Sequence, residues 1–254
     1  IVVLEMSSFQ LYHTNYVKKS PDVSILTNIM PEHLDWHKDF EYYAWAKSLI
    51  FKYQKKDDVL IINKDLKKMA KNAKSKVIYS NGDNLDNVYQ FAKHFQVEKK
   101  DVDLIIKEFK GLEGRQEFVL NVNGRQFIND TCATHPVANL YMLNRFENPI
   151  VIWGGVDKGF DLKKLAREFE KRNIRLFIFQ GTAGEKMLKV LKKDYVKKYV
   201  TSNVQTMNDA VEMAYKISKK DDFIVLSPGA SSFNMFLNEF DRGEKFVKAI
   251  KSLR

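Results

Sequence analysis

The sequence has little cysteine, proline or glycine: its 254 residues include one Cys, five Pro and 11 Gly. The single cysteine, Cys132, excludes an internal disulfide framework and is typical of a reducing compartment, so we expect a cytoplasmic protein. The low Gly and Pro counts exclude collagen-like and low-complexity chains. No apolar segment approaches the roughly 20 residues that span a bilayer, which argues against a membrane protein.

Positive charge is in modest excess. Lys and Arg total 42 against 32 Asp and Glu, which gives a formal net charge of +10. The lysines stand in short clusters such as Lys192-Lys193, which are typical of solvated helix faces and loops. A basic chain also attracts anionic small molecules such as nucleotides. Because no aromatic stacking platform is interleaved with the clusters, the sequence argues against a nucleic-acid partner.

The second half of the sequence alternates short apolar segments with amphipathic ones, which predicts βαβ units and a mostly parallel sheet. The predicted strands are Ile150 to Trp153, Leu176 to Phe179, Phe223 to Leu226 and a weaker one around Tyr199-Val200. The predicted helices are Leu162 to Arg172, Ala183 to Lys193 and Val204 to Lys219. Ligands gather at the carboxyl ends of strands in such sheets, and small-residue loops follow these strands at Gly154-Gly155, Gly181 and Ser227 to Gly229.

The first third also has a mixed α/β pattern. The predicted buried strands are Ile1 to Leu4, Val23 to Leu26 and Val59 to Ile62, and the predicted helices are Phe40 to Tyr53, Asn84 to Phe95 and Lys100 to Phe109. Gly111 to Gly114 interrupts the pattern, and a hairpin that turns at Asn123-Gly124 follows it. We therefore predict two domains, residues 1–111 and 112–254. Since the chain has no initiator Met and opens inside an apolar segment, we expect it to begin partway through a longer protein.

Three segments of the first third are rich in polar residues. They are EMSSFQ at 5–10, EHLDWH at 32–37 and Ala46-Lys47. A carboxylate beside paired serines at a strand end suits a magnesium or phosphate site, because hard cations take oxygen ligands. Taken alone, however, Glu5 is equally well interpreted as a surface carboxylate, and a lone histidine such as His33 is more often a packed or capping imidazole.

In combination, these segments resemble the central ATPase domain of the Mur ligases, in particular of the D-glutamate-adding members. The family's elements E-x-S-S-F-Q-L, N-I-x-x-D-H-L-D and A-K stand here at 5–11, 28–37 and 46–47. The resemblance implies that Glu5, His33 and Lys47 are catalytic and ligate magnesium. It also implies that Lys47 is carbamylated, since an unmodified ammonium would repel the cation, and that Ser7 contacts substrate.

The resemblance continues through motifs that imply nucleotide contacts. GDNLDN at 82–87 is similar to G-x-H-N-x-x-N, whose asparagines, here Asn84 and Asn87, contact the nucleotide. FKGLEGRQE at 109–117 is similar to F-x-G-L-P-H-R-x-E, whose arginine, here Arg115, reaches the ATP phosphates and acts in catalysis. NDTCATHP at 129–136 is similar to N-D-S-K-A-T-N-P, whose Asp, here Asp130, holds the ribose hydroxyls.

Two further motifs imply an amino-acid site. GGVDKG at 154–159 is similar to G-G-x-x-K-G, which places Lys158 near the incoming amino acid. The segment 226–236, with Arg242-Gly243 after it, is similar to L-S-P-A-x-A-S-F-D-x-F…R-G. In that motif Ser232 and the amide of Phe233 bind the D-glutamate side-chain carboxylate. A hydroxyl and a free amide at the start of a helix would form such an anion site.

The sequence departs from the family pattern at several positions. Cys132 stands where many members have a lysine that pairs with D-glutamate, so Lys158, Ser232 and Thr134 would carry more of the binding. The simplest interpretation of Cys132 is a small buried filler. Asp83 replaces a histidine, Glu113 and Gly114 replace Pro and His, and Glu32 replaces Asp. The phosphate-binding loop G-x-x-x-x-G-K-[ST] does not occur in the 254 residues, and the path from Ser80 to Gly82 is shorter than the family's.

The resemblance implies a specific architecture and reaction. The fold would be a central ATPase domain without its phosphate-loop part, joined to a C-terminal Rossmann-like domain. ATP would phosphorylate the carboxylate of UDP-N-acetylmuramoyl-L-alanine, and the amine of D-glutamate would attack the acyl phosphate, with Mg²⁺ offsetting the repulsion among anions. We expect a monomeric enzyme of peptidoglycan synthesis with no nucleic-acid or membrane partner.

Two other functions remain open from the sequence. One is a related ligase that adds a different amino acid, such as a diamino acid or a glutamate on a folate. The C-terminal S-P-x-x-A/S-S-F-x-x-F pattern favours D-glutamate, whereas Cys132 leaves room for the alternative. The other is a non-catalytic nucleotide-binding or nucleic-acid-binding module, which the basic charge and the missing phosphate loop favour.

Overall fold

A three-stranded parallel sheet in the order β1-β2-β3 forms the centre of the first of two units. The computed structural model describes residues 1–253, without the side chains of residues 34 and 35. The chain divides into units of residues 1–109 and 110–254, where the sequence predicted a boundary after residue 111. The first unit contains, in chain order, α1 (Ser8–Val17), β1 (Val23–Leu26), α2 (Leu34–His37), α3 (Phe40–Lys52), β2 (Val59–Asn63), β3 (Lys76–Ser80), α4 (Asn84–His94) and α5 (Lys99–Glu108).

Side-chain caps mark the starts of α1, α3 and α4. Ser7 and Gln10 form a capping box at α1, in which each side chain bonds to the other residue's backbone N–H. Asp39 accepts the Tyr42 amide at the start of α3, and Asp83 accepts the Leu85 amide at the start of α4. The carboxylate of Asp83, which departs from the family pattern, therefore has a structural use as a helix cap.

The N-terminal segment Ile1 to Leu4 is not the buried strand that its composition predicts. These four residues have no regular structure, and they are 71% to 102% exposed. A strand needs a neighbour to receive its backbone N–H and C=O groups. No strand of the described part of the chain pairs with this segment, so an apolar composition alone does not make it a strand.

The second unit is built on a six-stranded sheet in the order β4-β5-β9-β6-β7-β8. All neighbours are parallel except the hairpin β4–β5, which turns at Asn123-Gly124 as predicted. Its elements are β4 (Glu117–Val122), β5 (Arg125–Asn129), α6 (Pro136–Arg145), β6 (Ile150–Trp153), α7 (Lys163–Lys171), β7 (Arg175–Phe179), α8 (Thr182–Val190), α9 (Lys193–Tyr199), β8 (Val200–Val204), α10 (Met207–Ile217), β9 (Phe223–Leu226) and α11 (Glu239–Lys251). The mostly parallel α/β fold is confirmed.

Helices cover both faces of this sheet. One core contains Trp153, Phe169 and Met187, and the other contains Phe127, Val211 and Phe246. Burial on both faces explains why β6 and β9 are almost continuously apolar. The predicted helix from Ala183 to Lys193 is shorter, because Leu191 is extended and α9 begins a new helix after it.

Candidate functional site

Lys47 and two acidic residues form a charged cluster in the first unit. Lys47 lies on α3 and is partly buried, and burial lowers the pKa of its ammonium. The carboxylates of Glu32 and Glu5 oppose this effect and raise the same pKa, so both lie within electrostatic reach of Lys47. The structure therefore brings together Glu5 and Lys47, which the sequence placed in one site, and adds Glu32.

His33 adjoins this cluster through Glu32. Its Nε2 atom lies 4.0 Å from a Glu32 carboxylate oxygen, and its ring packs edge-on against Phe9 at 5.1 Å between centroids. The backbone of His33 is left-handed, with φ 57° and ψ 32°. A histidine in this region is uncommon, and such conformations concentrate at functional sites.

The segments around Glu5 and His33 are held together by buried contacts that the sequence did not predict. The ring Nε2 of His37 and the hydroxyl of Ser8 lie 2.8 Å apart, and both side chains are almost fully buried. Phe9 packs on the rings of Trp36 and His37 as well as on His33. Ser7 is engaged in capping α1, so its hydroxyl already has a structural partner.

The predicted nucleotide residues Asn84 and Asn87 lie on α4, a different part of the first unit. This helix packs on β2, β3 and α5, whereas the helix of Lys47 packs on α1, α2 and β1. Asn84 is exposed in the first turn of α4. Asn87 is only 3% exposed, and neither its Nδ2 nor its Oδ1 atom has a hydrogen-bond partner among the described residues. Buried amides are rarely left unpaired, so Asn87 is a candidate binding position.

In the second unit, backbone hydrogen bonds join the loops that follow the parallel strands β5, β6 and β9. The amide of Gly154 donates to Pro228, and that of Gly229 donates to Ala133. Val156 and Ser231 exchange two backbone hydrogen bonds. A Cβ atom at Gly155 would lie 2.0 Å from the Ser231 carbonyl oxygen, so only glycine permits this approach. The loops that contain Lys158, Thr134 and Ser232 are thus held in one layer, as the strand pattern predicted.

Asp130 and Arg115 meet at this edge. Burial raises the pKa of Asp130 to about 6. Four groups oppose this effect and lower the same pKa: the Ser227 hydroxyl, the Gln116 amide and the charges of Arg115 and Arg145. Arg115 follows Gly114, whose φ is +68° and whose Cβ would lie 2.8 Å from the Thr131 methyl group. Glycine at 114, a departure from the family pattern, is therefore required by local packing.

The predicted amino-acid residues lie at the same edge but not in the expected local structure. Ser232 is 2% exposed, whereas Phe233 is 73% exposed. They do not begin a helix: amides of Met235 and Phe236 turn back to the Ser232 carbonyl, and α11 begins later, behind its cap Asn238. The prediction of a helix start at Ser232 is wrong: the segment after Ser232 forms a single turn, and the preceding residue, Ser231, pairs with Val156.

Two neighbouring aromatic rings connect the loop of Lys158 with the loop of Thr134. The Lys158 ammonium lies 5.8 Å from the centre of the Phe160 ring, and that ring lies 4.1 Å from the ring of His135, next to Thr134. The adjacent Asp157 pairs with Lys186 at 2.9 Å. Cys132 is half-buried, and burial raises the pKa of its thiol, so it is a neutral side chain near pH 7.

Arg242 is a functional candidate whose geometry the sequence did not reveal. It is fully buried and donates three hydrogen bonds: Nε to Thr131 Oγ1 at 3.1 Å, Nη1 to the Ala230 carbonyl at 3.1 Å and Nη2 to the Thr131 carbonyl at 2.8 Å. Burial lowers its pKa to about 10, so it stays charged near pH 7. This guanidinium joins the loop after β5 to the loop after β9.

No group of three or more His, Cys, Asp or Glu side chains converges as a metal site in the described part of the chain. Among residues 1–253, no helix is both long enough and apolar enough to cross a bilayer.

Comparison with known proteins identifies both units. Residues 1–138 match the Mur ligase middle domain, and residues 114–230 match the Mur ligase glutamate ligase domain. The chain is 34% identical over 296 aligned positions to UDP-N-acetylmuramoylalanine–D-glutamate ligase of Clostridium botulinum strain 657, which covers 100% of this chain and 64% of that protein. The chain thus spans about 64% of the length of this relative.

Solved structures with the same fold have much lower identity. MurF ligase from Thermotoga maritima in complex with ADP has a TM-score of 0.64 at 16% identity, covering 92% of this chain and 64% of that one. The bifunctional folylpolyglutamate synthase/dihydrofolate synthase from Yersinia pestis has a TM-score of 0.62 at 14% identity, covering 91% and 61%. These likenesses concern the fold. Since the middle-domain match alone takes in more than half of the residues, this chain belongs to the Mur ligase family.

Proposed function

We propose that this chain is the middle and C-terminal portion of an ATP-dependent ligase that joins D-glutamate to UDP-N-acetylmuramoyl-L-alanine in the cytoplasm. The relative from Clostridium botulinum carries that activity in its name, and it aligns with every residue of this chain. The observation that carries the proposal is the partly buried Lys47 within electrostatic reach of the carboxylates of Glu32 and Glu5. A lysine in this setting suits the modification that the family resemblance implies.

Carbamylation requires a neutral amine, and burial of Lys47 favours one. Because burial lowers the pKa of the ammonium, a larger fraction of Lys47 is unprotonated at a given pH than for a solvated lysine. The Nζ lone pair forms a bond to the carbon of CO₂ as the amine loses a proton, and the product is an anionic carbamate. The modification thus replaces the positive charge of the Lys47 ammonium by the negative charge of a carbamate near Glu5 and Glu32.

The modified lysine completes an oxygen-rich site that suits magnesium. Glu5, His33 and the carbamate of Lys47 would hold the ion, and hard cations prefer such oxygen ligands. Bound magnesium offsets the repulsion among the anionic reactants and stabilises charge at the transferring phosphoryl group. The left-handed backbone of His33 presents its ring beside Glu32, where it can take part in this site.

Nucleotide binding is assigned to Asn84, Asn87, Arg115 and Asp130. The unpaired buried amide of Asn87 offers one donor and one acceptor, which matches the edge of a purine base. Asp130 offers an acceptor for ribose hydroxyls, and Arg115 supplies a cation for phosphates. Solved Mur ligases are known with ADP, as in the Thermotoga maritima MurF complex.

Replacing Asn87 by leucine is expected to weaken nucleotide binding without lowering the stability of the protein. The variant removes a buried amide that has no partner in the protein, so the free energy of unfolding should stay the same or rise by about 1 kcal/mol. The KM for ATP should rise by roughly tenfold or more, since two hydrogen bonds to the base are lost. Gln90→Leu, on the same helix, is the control and should leave the KM unchanged. An unaltered KM in Asn87→Leu would remove Asn87 from the nucleotide site.

Replacing Ser232 by alanine is expected to raise the KM for the amino acid more than the KM for ATP. The proposed role of Ser232 is to hold the side-chain carboxylate of D-glutamate, and losing a hydrogen bond to a charged group costs about 1.5 to 3 kcal/mol, or roughly tenfold or more in KM. Ser231→Ala, one residue earlier, is the matched control. Equal effects of Ser232→Ala on both KM values would mean that the specificity site lies elsewhere.

The proposed function is tested on the full-length protein by supplying UDP-N-acetylmuramoyl-L-alanine, ATP and Mg²⁺ with amino acids one at a time and measuring phosphate release. We expect release with D-glutamate. Release with only another amino acid would favour the related-ligase alternative, for which Cys132 leaves room. No release with any amino acid, together with nucleotide binding, would favour a non-catalytic module.

A further inference from the structure

Asp130 is held by residues that no motif assigns to the site. It is 5% exposed at the end of β5. Its Oδ2 atom accepts a hydrogen bond from the Ser227 hydroxyl at 2.8 Å, and its Oδ1 atom accepts one from the Gln116 amide at 3.2 Å. Ser227 itself is 0% exposed and stands at the end of β9, the neighbouring strand. The carboxylate is therefore oriented from two directions.

The hydrogen bonds behind Ser227 continue through two further buried side chains. The Nδ2 atom of Asn139, on α6, lies 2.7 Å from the Ser227 hydroxyl oxygen and 2.8 Å from the Ser227 carbonyl oxygen. The Oδ1 atom of Asn139 accepts the indole N–H of Trp153, on β6, at 3.1 Å. Asn139 and Trp153 are both 0% exposed. Four elements thus contribute one residue each to a buried chain of hydrogen bonds.

The donor and acceptor groups of these side chains permit only one direction for the series of hydrogen bonds. An indole N–H is only a donor, so the Asn139 oxygen must face Trp153 and the Asn139 NH₂ must face Ser227. The hydroxyl oxygen of Ser227 then accepts a hydrogen bond from the Asn139 NH₂, and the hydroxyl proton is left to point at Asp130. Each bond in the chain fixes the orientation of the next polar group.

Gly229 leaves the space that the hydrogen bond between Asn139 and Trp153 occupies. A Cβ atom at Gly229 would lie 2.2 Å from the Asn139 oxygen and 2.5 Å from the Trp153 indole nitrogen, and φ at Gly229 is +59°. Only glycine satisfies both the space and the backbone conformation. The loop after β9 is therefore shaped around the bond between Asn139 and Trp153.

We infer that Trp153, Asn139 and Ser227 are positioning residues that hold Asp130 as an ionised acceptor with Oδ1 directed to the nucleotide. This inference rests on the proposed contact between Asp130 and the ribose. The direction of these hydrogen bonds matters because a buried carboxyl tends to take up a proton. A protonated Asp130 would be a hydrogen-bond donor and would no longer serve as an ionised acceptor. A hydroxyl that can only donate to Asp130 favours the anion.

The charges around Asp130 agree with this role. Burial raises its pKa to about 6, whereas the Ser227 hydroxyl, the Gln116 amide, Arg115 and Arg145 lower it. Asp130 also raises the pKa of the Cys132 thiol, which is neutral near pH 7. As pH falls through about 6, Asp130 takes up a proton and the acceptor is lost, so the KM for ATP should rise below that pH.

The test measures the pKa of Asp130 by ¹³C NMR on carboxyl-labelled chain. Ser227→Ala should raise this pKa by about one unit, because the anion loses one hydrogen bond. Trp153→Phe should raise it by less, because the Asn139 amide can then rotate, and Ser227→Thr, which keeps the hydroxyl, should leave it near the wild-type value. Ser202→Ala, an exposed serine on β8, is the control. Shifts in Ser227→Ala and Trp153→Phe no larger than in Ser202→Ala would overturn the inference, and Trp153→Phe decides alone if Ser227→Ala does not fold.

A second readout separates this inference from the proposed function. In the full-length enzyme, the pH below which the KM for ATP rises should move upward in Ser227→Ala together with the Asp130 pKa, while kcat measured at saturating ATP changes little. A pKa that moves while the KM for ATP stays constant at all pH values would support the positioning chain and overturn the contact between Asp130 and nucleotide. A pKa that does not move overturns the positioning chain, whatever the KM does.

Discussion

Replacing Lys47 by alanine is expected to abolish ligation, by roughly a thousandfold or more, and short-chain carboxylates such as acetate should restore part of it. The variant removes the carbamate that would complete the magnesium site with Glu5 and His33. The methyl group of alanine is much smaller than the lysine side chain, and a small carboxylate that enters the vacated volume can supply the missing oxygens. The measurement is phosphate release with and without added acetate.

Lys52→Ala is the matched control for this experiment. Lys52 lies on the same helix, is exposed and is 5.5 Å from the centre of the Trp45 ring, so its loss should leave ligation unchanged. A readout independent of activity is the ¹³C NMR carbamate signal of protein equilibrated with labelled bicarbonate. This signal should be present in the wild type and in Lys52→Ala, and absent in Lys47→Ala. Full activity of Lys47→Ala without any carboxylate would remove Lys47 from the mechanism.

Replacing Arg242 by alanine is expected to lower the free energy of unfolding by about 3 kcal/mol or more. The variant leaves two buried carbonyls and the Thr131 hydroxyl without their donor, and each unmet buried group costs about 1 to 3 kcal/mol. It also leaves a cavity where a fully buried side chain was. Chemical denaturation monitored by tryptophan fluorescence measures the change.

Arg167→Ala is the control for stability, since Arg167 is exposed on α7 and should change the free energy of unfolding by no more than about 0.5 kcal/mol. Arg242→Lys distinguishes charge from geometry. One ammonium cannot reach acceptors in two loops with the fixed fork of a guanidinium, so this variant should also be destabilised. Wild-type stability of Arg242→Lys would show that charge alone suffices and that the fork does not hold the two loops together.

Much of the second unit could be predicted from the sequence because local pattern and final structure agree there. The apolar segments at 150–153 and 223–226 are strands with the predicted bounds, and Asn123-Gly124 turns the predicted hairpin. These strands are buried on both faces, so nearly every residue in them is apolar and the signal is strong. The helices α6 and α11 were not predicted, because they carry more polar residues than the strands and their boundaries depend on caps.

The predictions failed where a segment's conformation depends on distant partners. Ile1 to Leu4 has the composition of a strand and no strand beside it in the described chain. A helix was predicted to begin at Ser232, but only a single turn forms there, behind Ser231, whose backbone pairs with the distant Val156. Neither outcome follows from neighbours in sequence.

The sequence by itself determined the family, the mostly parallel α/β fold and the order of the motifs, since these follow from residue patterns that span only a few positions each. Tertiary structure alone decided which polar groups meet: Glu32 beside Lys47, Arg242 across two loops, and the directed chain from Trp153 to Asp130. The physical reason is the separation along the sequence of the residues that interact. Backbone conformation responds to nearby residues, whereas a buried hydrogen bond or charge joins residues about a hundred positions apart, such as Ser227 and Asp130, once the sheet has brought its strands together.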